Sequence, residues 1–404
     1  MRDETAGATR YAWVILAVGT FVVFGSLGLG RFSYTAVLPA MQAGLAMDST
    51  QAGTLATANL AGYLALSAVG GALAVRFGPR AVIATGLAVA GAAMVLTGFA
   101  DGFVSAAVWR AMAGVGSGAS NVPVMGLLAA WFAPQRRGLA AGIGVSGSSI
   151  GLIFVGWAAP PILEAYGEAG WRACWFVFGA ITLGLAAVSV ALLRNRPSST
   201  SAAKAAVSPV AWGSVYRSGA VWRLGLVYVA FGFSYIIYLT FFVKFLMAEG
   251  GYRPSEAGDL YAVIGWFSLL CGLIWGTVSD RIGRKFALAA VYLIHAVAFA
   301  LFPAWPSPAG FTISAVLFGV SAWSIPAIMA AGCGDLLGGR LAPAGLGFMT
   351  LFFGIGQTAA PGVAGAMADA AGSLMPAFWL AAGVALAGAV GSLTLPRFAE
   401  GSKR

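Results

Sequence analysis

The 404-residue chain is poor in charge, with only 9% of its residues Asp, Glu, Lys or Arg. Soluble domains carry about 25%, so most of this chain's surface must meet lipid rather than water. Acids are the scarcer sign, 13 against 23 Lys and Arg. The single histidine, His295, and three cysteines, Cys174, Cys271 and Cys333, exclude a disulfide scaffold and a Cys/His metal cluster. All three cysteines sit in apolar runs, as small hydrophobes do. No nucleophile–base constellation and no phosphate-binding lysine loop is found. Catalysis, ATP hydrolysis, a cofactor and a metal are therefore not expected.

What the chain has instead is apolar length. Continuous runs of the size needed to cross a bilayer cover about 12–38, 52–75, 81–100, 104–132, 138–163, 173–194, 221–247, 257–279, 286–304, 310–335, 344–368 and 376–396. The runs are continuous rather than alternating, which favours helices over a barrel. The first is too long for a removable signal peptide and reads as a span. The expected fold is all-α and integral to the membrane, with twelve transmembrane helices.

The cations set an orientation. With the N-terminus in the cytoplasm, eighteen of the 23 fall in cytoplasmic segments, and only Arg172 and Arg253 lie on the other side. That asymmetry follows the positive-inside rule, puts both termini in the cytoplasm and removes nucleic acid as an explanation of the surplus. Three cations, Arg31, Arg110 and Lys244, lie within spans. The one long polar stretch, RNRPSSTSAAKAAVSPVAWGSVYR, begins at Arg194 and reads as a linker. It divides the chain into 1–195, a connection at 196–217, and 218–404.

The two halves repeat. Phe32-Ser33-Tyr34 returns as Phe233-Ser234-Tyr235, an offset of 201, and the segment at 50–55 resembles 255–260 at 205. Arg76 to Arg80 matches Arg281 to Lys285 at 205, and Gly116 to Pro123 matches Gly319 to Pro326 at 203. Four ordered matches at nearly one offset indicate two six-helix units in parallel orientation, an arrangement suited to alternating access around a central site.

Gly276, Asp280, Arg281, Gly283, Arg284 and Lys285 form GxxxDRxGRK between the eighth and ninth runs. On this motif, and on Arg110-x-x-x-Gly114-x-Gly116-x-Gly118, the chain resembles the major facilitator superfamily over essentially its whole length. The stretch from Gly28 to Gln42, with Asn59 to Tyr63, is similar to a bacterial subgroup of transporters in that superfamily without a defined substrate. The resemblance implies a monomeric secondary transporter of the bacterial cytoplasmic membrane. It implies a rocking cycle of two pseudo-symmetric bundles, with a coupling proton as a partner besides solute and lipid. It also implies a conformational latch of Gly276, Asp280, Arg281, Gly283 and Arg284, with Arg76 and Arg137 as further arginines. In the first-half copy, Val75 stands where the acid belongs. Arg110, Gly114 and Gly118 read as structural, the glycines allowing close helix contact.

A charge inside the membrane marks function by default. Arg31 lies in the first span, which the superfamily places beside the central cavity, and its fork suits a carboxylate. The expected solute site comprises Arg31, Tyr34, Asn59, Tyr63, Asn121, Tyr235, Tyr238, Trp266, Trp323 and Gln357. Tyr34 shares a helical face with Arg31, Asn59 with Tyr63, and Phe353 with Gln357. Asp259 is the carboxylate candidate for proton coupling, with His295 as the other titratable group. A small organic anion is the favoured cargo. Efflux of amphipathic compounds, and a transporter-like receptor or lipid-handling protein, are the competing readings.

Overall fold

The computed structural model describes residues 2–133, 136–195 and 215–396. The expected linker lies almost wholly outside the described residues, as do 397–404. Among the described residues there is no strand. Backbone amides in lipid need partners within their own segment, and helices supply them.

The elements, in chain order, are α1 (Arg2–Val23), a π-helical stretch (Phe24–Phe32), α2 (Ser33–Gly44), α3 (Ser49–Phe77), α4 (Pro79–Gly98), α5 (Phe103–Trp131) and α6 (Arg137–Tyr166). After a 3-10 turn (Gly167–Ala169) come α7 (Gly170–Leu192), α8 (Gly219–Ala248), α9 (Pro254–Ser268), α10 (Cys271–Ile282) and α11 (Arg284–Ala304). The chain ends with α12 (Pro308–Gly319), α13 (Ser324–Ala371) and α14 (Met375–Leu393). Local chemistry marks the joints. Asp48 caps α3 by accepting from the Gln51 amide, in a reciprocal capping box. Gly78 and Gly283 turn the chain between α3 and α4 and between α10 and α11 at φ +83° and +87°. These left-handed positions are open to glycine, and they fall 205 residues apart, at the offset of the motif repeat.

The elements do not coincide one to one with the expected spans. Among the described residues, nine helical stretches are long and apolar enough to cross a membrane, one of them the 56-residue stretch Arg137–Leu192. The expected eighth span is broken into α9 and α10, and the expected tenth is broken at Val320–Trp323. Conversely, α13 runs for 48 residues through the expected connection between the tenth and eleventh spans. Apolar runs report burial in lipid but carry no information on where a helix pauses within it.

Packing then brings distant segments together. Helix α3 lies on α5, α4 on α5 and α7, α8 on α13, and α11 on α14, while α3 also meets α13, α6 meets α9 and α2 meets α8. The α3–α13 and α6–α9 pairs are tight at one end only. A side chain at Gly53 would collide with the Pro361 carbonyl, and one at Gly365 with the Ser49 carbonyl. A Cβ at Gly156 would lie 2.5 Å from the Gly258 carbonyl oxygen. Toward the other end, Gly71 on α3, Gly347 on α13, Gly142 on α6 and Gly276 on α10 have nothing within 4 Å of a built Cβ among the described residues. The bundle is therefore closed at the end carrying Ser49 and Gly365 and splayed at the opposite end.

This asymmetry predicts a contrast between two alanine substitutions. Gly53→Ala forces α3 away from α13 and lowers the thermal unfolding midpoint in detergent, by the equivalent of about 1–3 kcal/mol for an overpacked contact. Gly71→Ala meets open space and leaves the midpoint unchanged or raised, since Ala is the better helix former.

Candidate functional site

The π-helical stretch Phe24–Phe32 reads FGSLGLGRF, and eight of its nine residues are buried. Its glycines allow close approach: a Cβ at Gly28 would sit 2.7 Å from the Gly151 Cα, and one at Gly30 2.7 Å from the Ser117 hydroxyl. Wider winding offers backbone carbonyls to partners outside the helix. Arg110 Nη1 donates to the Gly30 carbonyl at 3.0 Å, and the Tyr261 hydroxyl donates to the Phe32 carbonyl at 2.9 Å. Arg31 lies between these two anchored carbonyls.

Arg31 is nine-tenths buried. Its Nη1 donates to Gln357 Oε1 at 3.4 Å, and the Tyr235 hydroxyl donates to the same oxygen at 3.1 Å. The guanidinium carbon stands 4.2 Å from the centre of the Tyr63 ring, a cation–π contact. Tyr63 is held in turn by Asn121, whose Nδ2 donates to its hydroxyl at 2.8 Å. Arg31 Nε and Nη2 are buried and have no hydrogen-bond partner among the described residues. Among the described residues the ion pairs are Arg253–Glu256, Arg284–Asp280 and Arg284–Asp335, so no carboxylate neutralises Arg31.

Around this cluster stands an aromatic wall. Phe353, one turn before Gln357, stacks on Tyr235 at 5.9 Å and 17° and on Tyr228 at 4.9 Å and 24°. Trp323 meets Tyr235 edge-on at 6.4 Å and donates its indole N–H to Ser149 at 3.2 Å. A small cavity of about 20 Å³, room for a single water, is lined by Arg31, Tyr34, Asn59, Arg110 and Thr240 among others.

The structure thus brings Arg31, Tyr63, Asn121, Tyr235, Trp323 and Gln357 together. Tyr34 and Asn59 stand behind them, on the cavity side. The Tyr34 hydroxyl is spent on the Ala52 carbonyl at 2.7 Å and its ring lies under Arg110, while Asn59 donates to the Arg110 carbonyl. Two expected members are not brought to the site. Tyr238 turns toward α11, α12 and α14, bonds Ser314 at 2.7 Å and packs on Phe299, Phe318 and Phe378. Trp266 is half exposed beside Trp157, because Gly265 is the residue that α9 presses against α6. Arg110 sits between the rings of Tyr34 and Trp175, each at 4.8 Å. Side chains at Gly114 and Gly118 would strike the Asn59 and Tyr63 carbonyls.

The proton-coupling candidates also lie elsewhere. Asp259 is exposed near the start of α9. His295 is fully buried and ringed by Phe231, Phe299 and Phe318. At the edge of the same region, hydrogen bonds from Arg253 hold the Glu256 carboxyl below the ordinary range.

Charge is concentrated at the two ends. At the splayed end Arg284 bridges Asp280 at 2.5 Å and Asp335 at 3.0 Å, with Gly283 turning the chain beside it. Among the described residues, Gly276 has nothing within 4 Å of a built Cβ, and Asp280 makes no ion pair with Arg281, Arg76 or Arg137. Arg76 lies over Phe77 at 5.2 Å and Arg137 donates to the Phe132 carbonyl. At the closed end a residue the sequence did not single out, Asp369 of α13, accepts from the Ser49 and Thr50 amides at 2.8 and 2.7 Å and from the Thr50 hydroxyl at 2.6 Å. Lys244 of α8 donates to the Ser49 hydroxyl at 2.8 Å. Both α13 and α8 therefore grip the N-terminus of α3, where a carboxylate also favours the helix dipole.

A many-helix apolar bundle with a buried polar cluster between helices from both repeats is the build of a multi-pass membrane transporter of the major facilitator type. The family model described as "Uncharacterised MFS-type transporter YbfB" matches residues 23–393, and the chain belongs to this family, whose members are membrane transporters and not enzymes. It is 26% identical over 357 residues to the "Probable sulfoacetate transporter SauU" of Cupriavidus necator, covering 80% of this chain and 79% of that one. It is 25% identical over 334 residues to "Monocarboxylate transporter 13" of Rattus norvegicus, covering 81% and 76%. Among solved structures it is similar in fold to a mutant form of the nucleoside transporter NupG, with a TM-score of 0.76 at 14% identity, covering 94% and 99%.

The clamp on α3 is testable. Asp369→Ala removes three acceptor contacts and lowers the thermal unfolding midpoint, by the equivalent of about 1–2 kcal/mol for a part-exposed charged cap. Asp369→Asn keeps one acceptor oxygen and costs less.

Proposed function

We propose that this chain is a secondary transporter moving a small organic anion across the bacterial cytoplasmic membrane, with Arg31 as the anchor for the anionic group. In this reading the helices form twelve spans in two six-helix bundles, 1–195 and 218–404, joined by 196–217, with both termini in the cytoplasm. The 56-residue stretch Arg137–Leu192 crosses twice. Helix α5 and the α9–α10 pair complete the set.

The observation that carries the reading is the guanidinium of Arg31, held between helices and left with two unpartnered donors. A buried charge without a counter-charge is costly, and the cost is recovered when an opposite charge arrives. Sulfoacetate and monocarboxylates, named for the two relatives, are anions of the kind such a site would take. Efflux of neutral amphipathic compounds would leave Arg31 unpaired throughout the cycle.

The closed and splayed ends supply a cycle. With the N-terminus inside, the splayed end would face the cytoplasm, as in an inward-open step of such a cycle. Rocking the bundles would release α3 from Asp369 and Lys244 and bring the α10–α11 turn toward the N-terminal bundle. Asp280 and Arg284 would then find partners across the interface.

Uptake of labelled monocarboxylates and sulfoacetate into proteoliposomes tests the proposal. Arg31→Ala is expected to lose about 2–4 kcal/mol of anion binding, a rise of about 30- to 1,000-fold in Kd. Arg31→Lys, which keeps the charge without the fork, falls between. Transport by Arg31→Ala at the native rate and affinity would overturn the reading. Saturable binding without flux would mark a receptor instead.

A further inference from the structure

Resting on the anion reading, we infer that Gln357 is a resident stand-in for the cargo. Its side-chain oxygen fills the place of one cargo oxygen in the empty carrier and gives that place up when the anion arrives. Two donors of different kinds converge on this oxygen, Arg31 Nη1 at 3.4 Å and the Tyr235 hydroxyl at 3.1 Å. A cationic N–H and an O–H aimed at one point form a receptor for an anionic oxygen. Gln357 brings an oxygen to that point without the charge.

The three residues divide between the two halves of the chain, and their bonds differ accordingly. Tyr235 and Gln357 belong to α8 and α13, whose backbones touch. A side chain at Gly232 would strike the Phe353 carbonyl, and one at Gly356 the Val229 carbonyl. Helices in such contact move together. Arg31 belongs to the first half, on the π-helical stretch whose Gly30 carbonyl is held by Arg110. The Arg31–Gln357 bond therefore crosses between the halves, and it is the longer of the two. At 3.4 Å to a neutral amide it is weak, and a carboxylate oxygen makes a shorter, stronger bond with the same donor. Nη2, the other terminal nitrogen, is buried without a partner among the described residues. A carboxylate that displaces the amide meets Nη1 and the Tyr235 hydroxyl with one oxygen and finds Nη2 free for the other. The unbranched Gln357 side chain swings aside by rotamer change, with α13 in place. A resident competitor lowers the apparent affinity by the fraction of carriers it occupies. Removing it has two opposite consequences. Cargo binds more tightly, and the empty carrier turns over more slowly because Arg31 is buried with one partner fewer.

Equilibrium binding and proteoliposome flux of labelled propionate and sulfoacetate, each on the full-length protein, test this. Gln357→Leu is expected to bind about three- to tenfold more tightly than the native chain. In the same variant, net uptake into anion-free vesicles falls at least about threefold relative to exchange in vesicles loaded with the same anion. Tyr235→Phe keeps the ring, loses the hydroxyl and binds about tenfold more weakly. Gln357→Glu sets a resident carboxylate at the point of convergence and binds at least about a hundredfold more weakly. Should Gln357→Leu unfold, Gln357→Met carries the same expectations. Unchanged or weaker binding in these neutral Gln357 variants, with binding still lost in Arg31→Ala, overturns the stand-in and leaves the anion site standing. An unchanged ratio of net uptake to exchange, or unchanged binding in Tyr235→Phe, does the same. Absence of binding by both anions overturns both readings.

Discussion

The hydrogen bond from Arg110 to the Gly30 carbonyl is the contact on which the centre of this molecule depends. A π-helical stretch in the middle of a lipid-embedded helix presents carbonyls that require partners from outside the helix. Arg110, itself sandwiched by Tyr34 and Trp175, satisfies one, and Tyr261 from α9 satisfies another two residues further on. The stretch between is thereby fixed in a winding that regular α-helix would not give, and Arg31 projects from it toward Gln357. These two buried arginines have different duties. Arg110 holds backbone, and Arg31 holds a fork open.

The rest of the bundle is arranged around a contrast between its ends. At one, backbone-to-backbone contact at Gly53, Gly156 and Gly365 leaves no room for a side chain, and Asp369 and Lys244 clasp the start of α3 across 320 and 195 residues of sequence. At the other, the charged groups pair within the second half, Arg284 with Asp280 and Asp335, and Gly71, Gly142, Gly276 and Gly347 have open space beside them among the described residues. Close-packed interfaces deform little and shift as units.

Several of these features were legible in the amino-acid order. A lone arginine in an apolar run is conspicuous, and helical spacing alone put Tyr63 with Asn59 and Gln357 with Phe353. The aromatics were ambiguous, because a ring in a span serves core and cavity equally well. Tyr238 proved to be core and Trp266 surface, while Tyr235, three residues from Tyr238 on α8, reached the site. Asp369 carried no local signal: it follows an alanine-rich span end, and its meaning lies in two amides on another helix. Asp335 likewise gains its role from Arg284, 51 residues away.

Composition and patterning determined that this chain crosses lipid as helices, that its halves repeat, and that three cations are stranded within spans. Those conclusions rest on terms that act along the chain: the hydrophobic burial of each run, the cost of charge in hydrocarbon, and turn chemistry at glycine and proline. Only the tertiary structure decided which arginine keeps two adjacent donors free, which rings surround it, and which end of the bundle is closed. Those depend on the winding of one helix and the rotation of its neighbours, set by contacts between residues hundreds of positions apart.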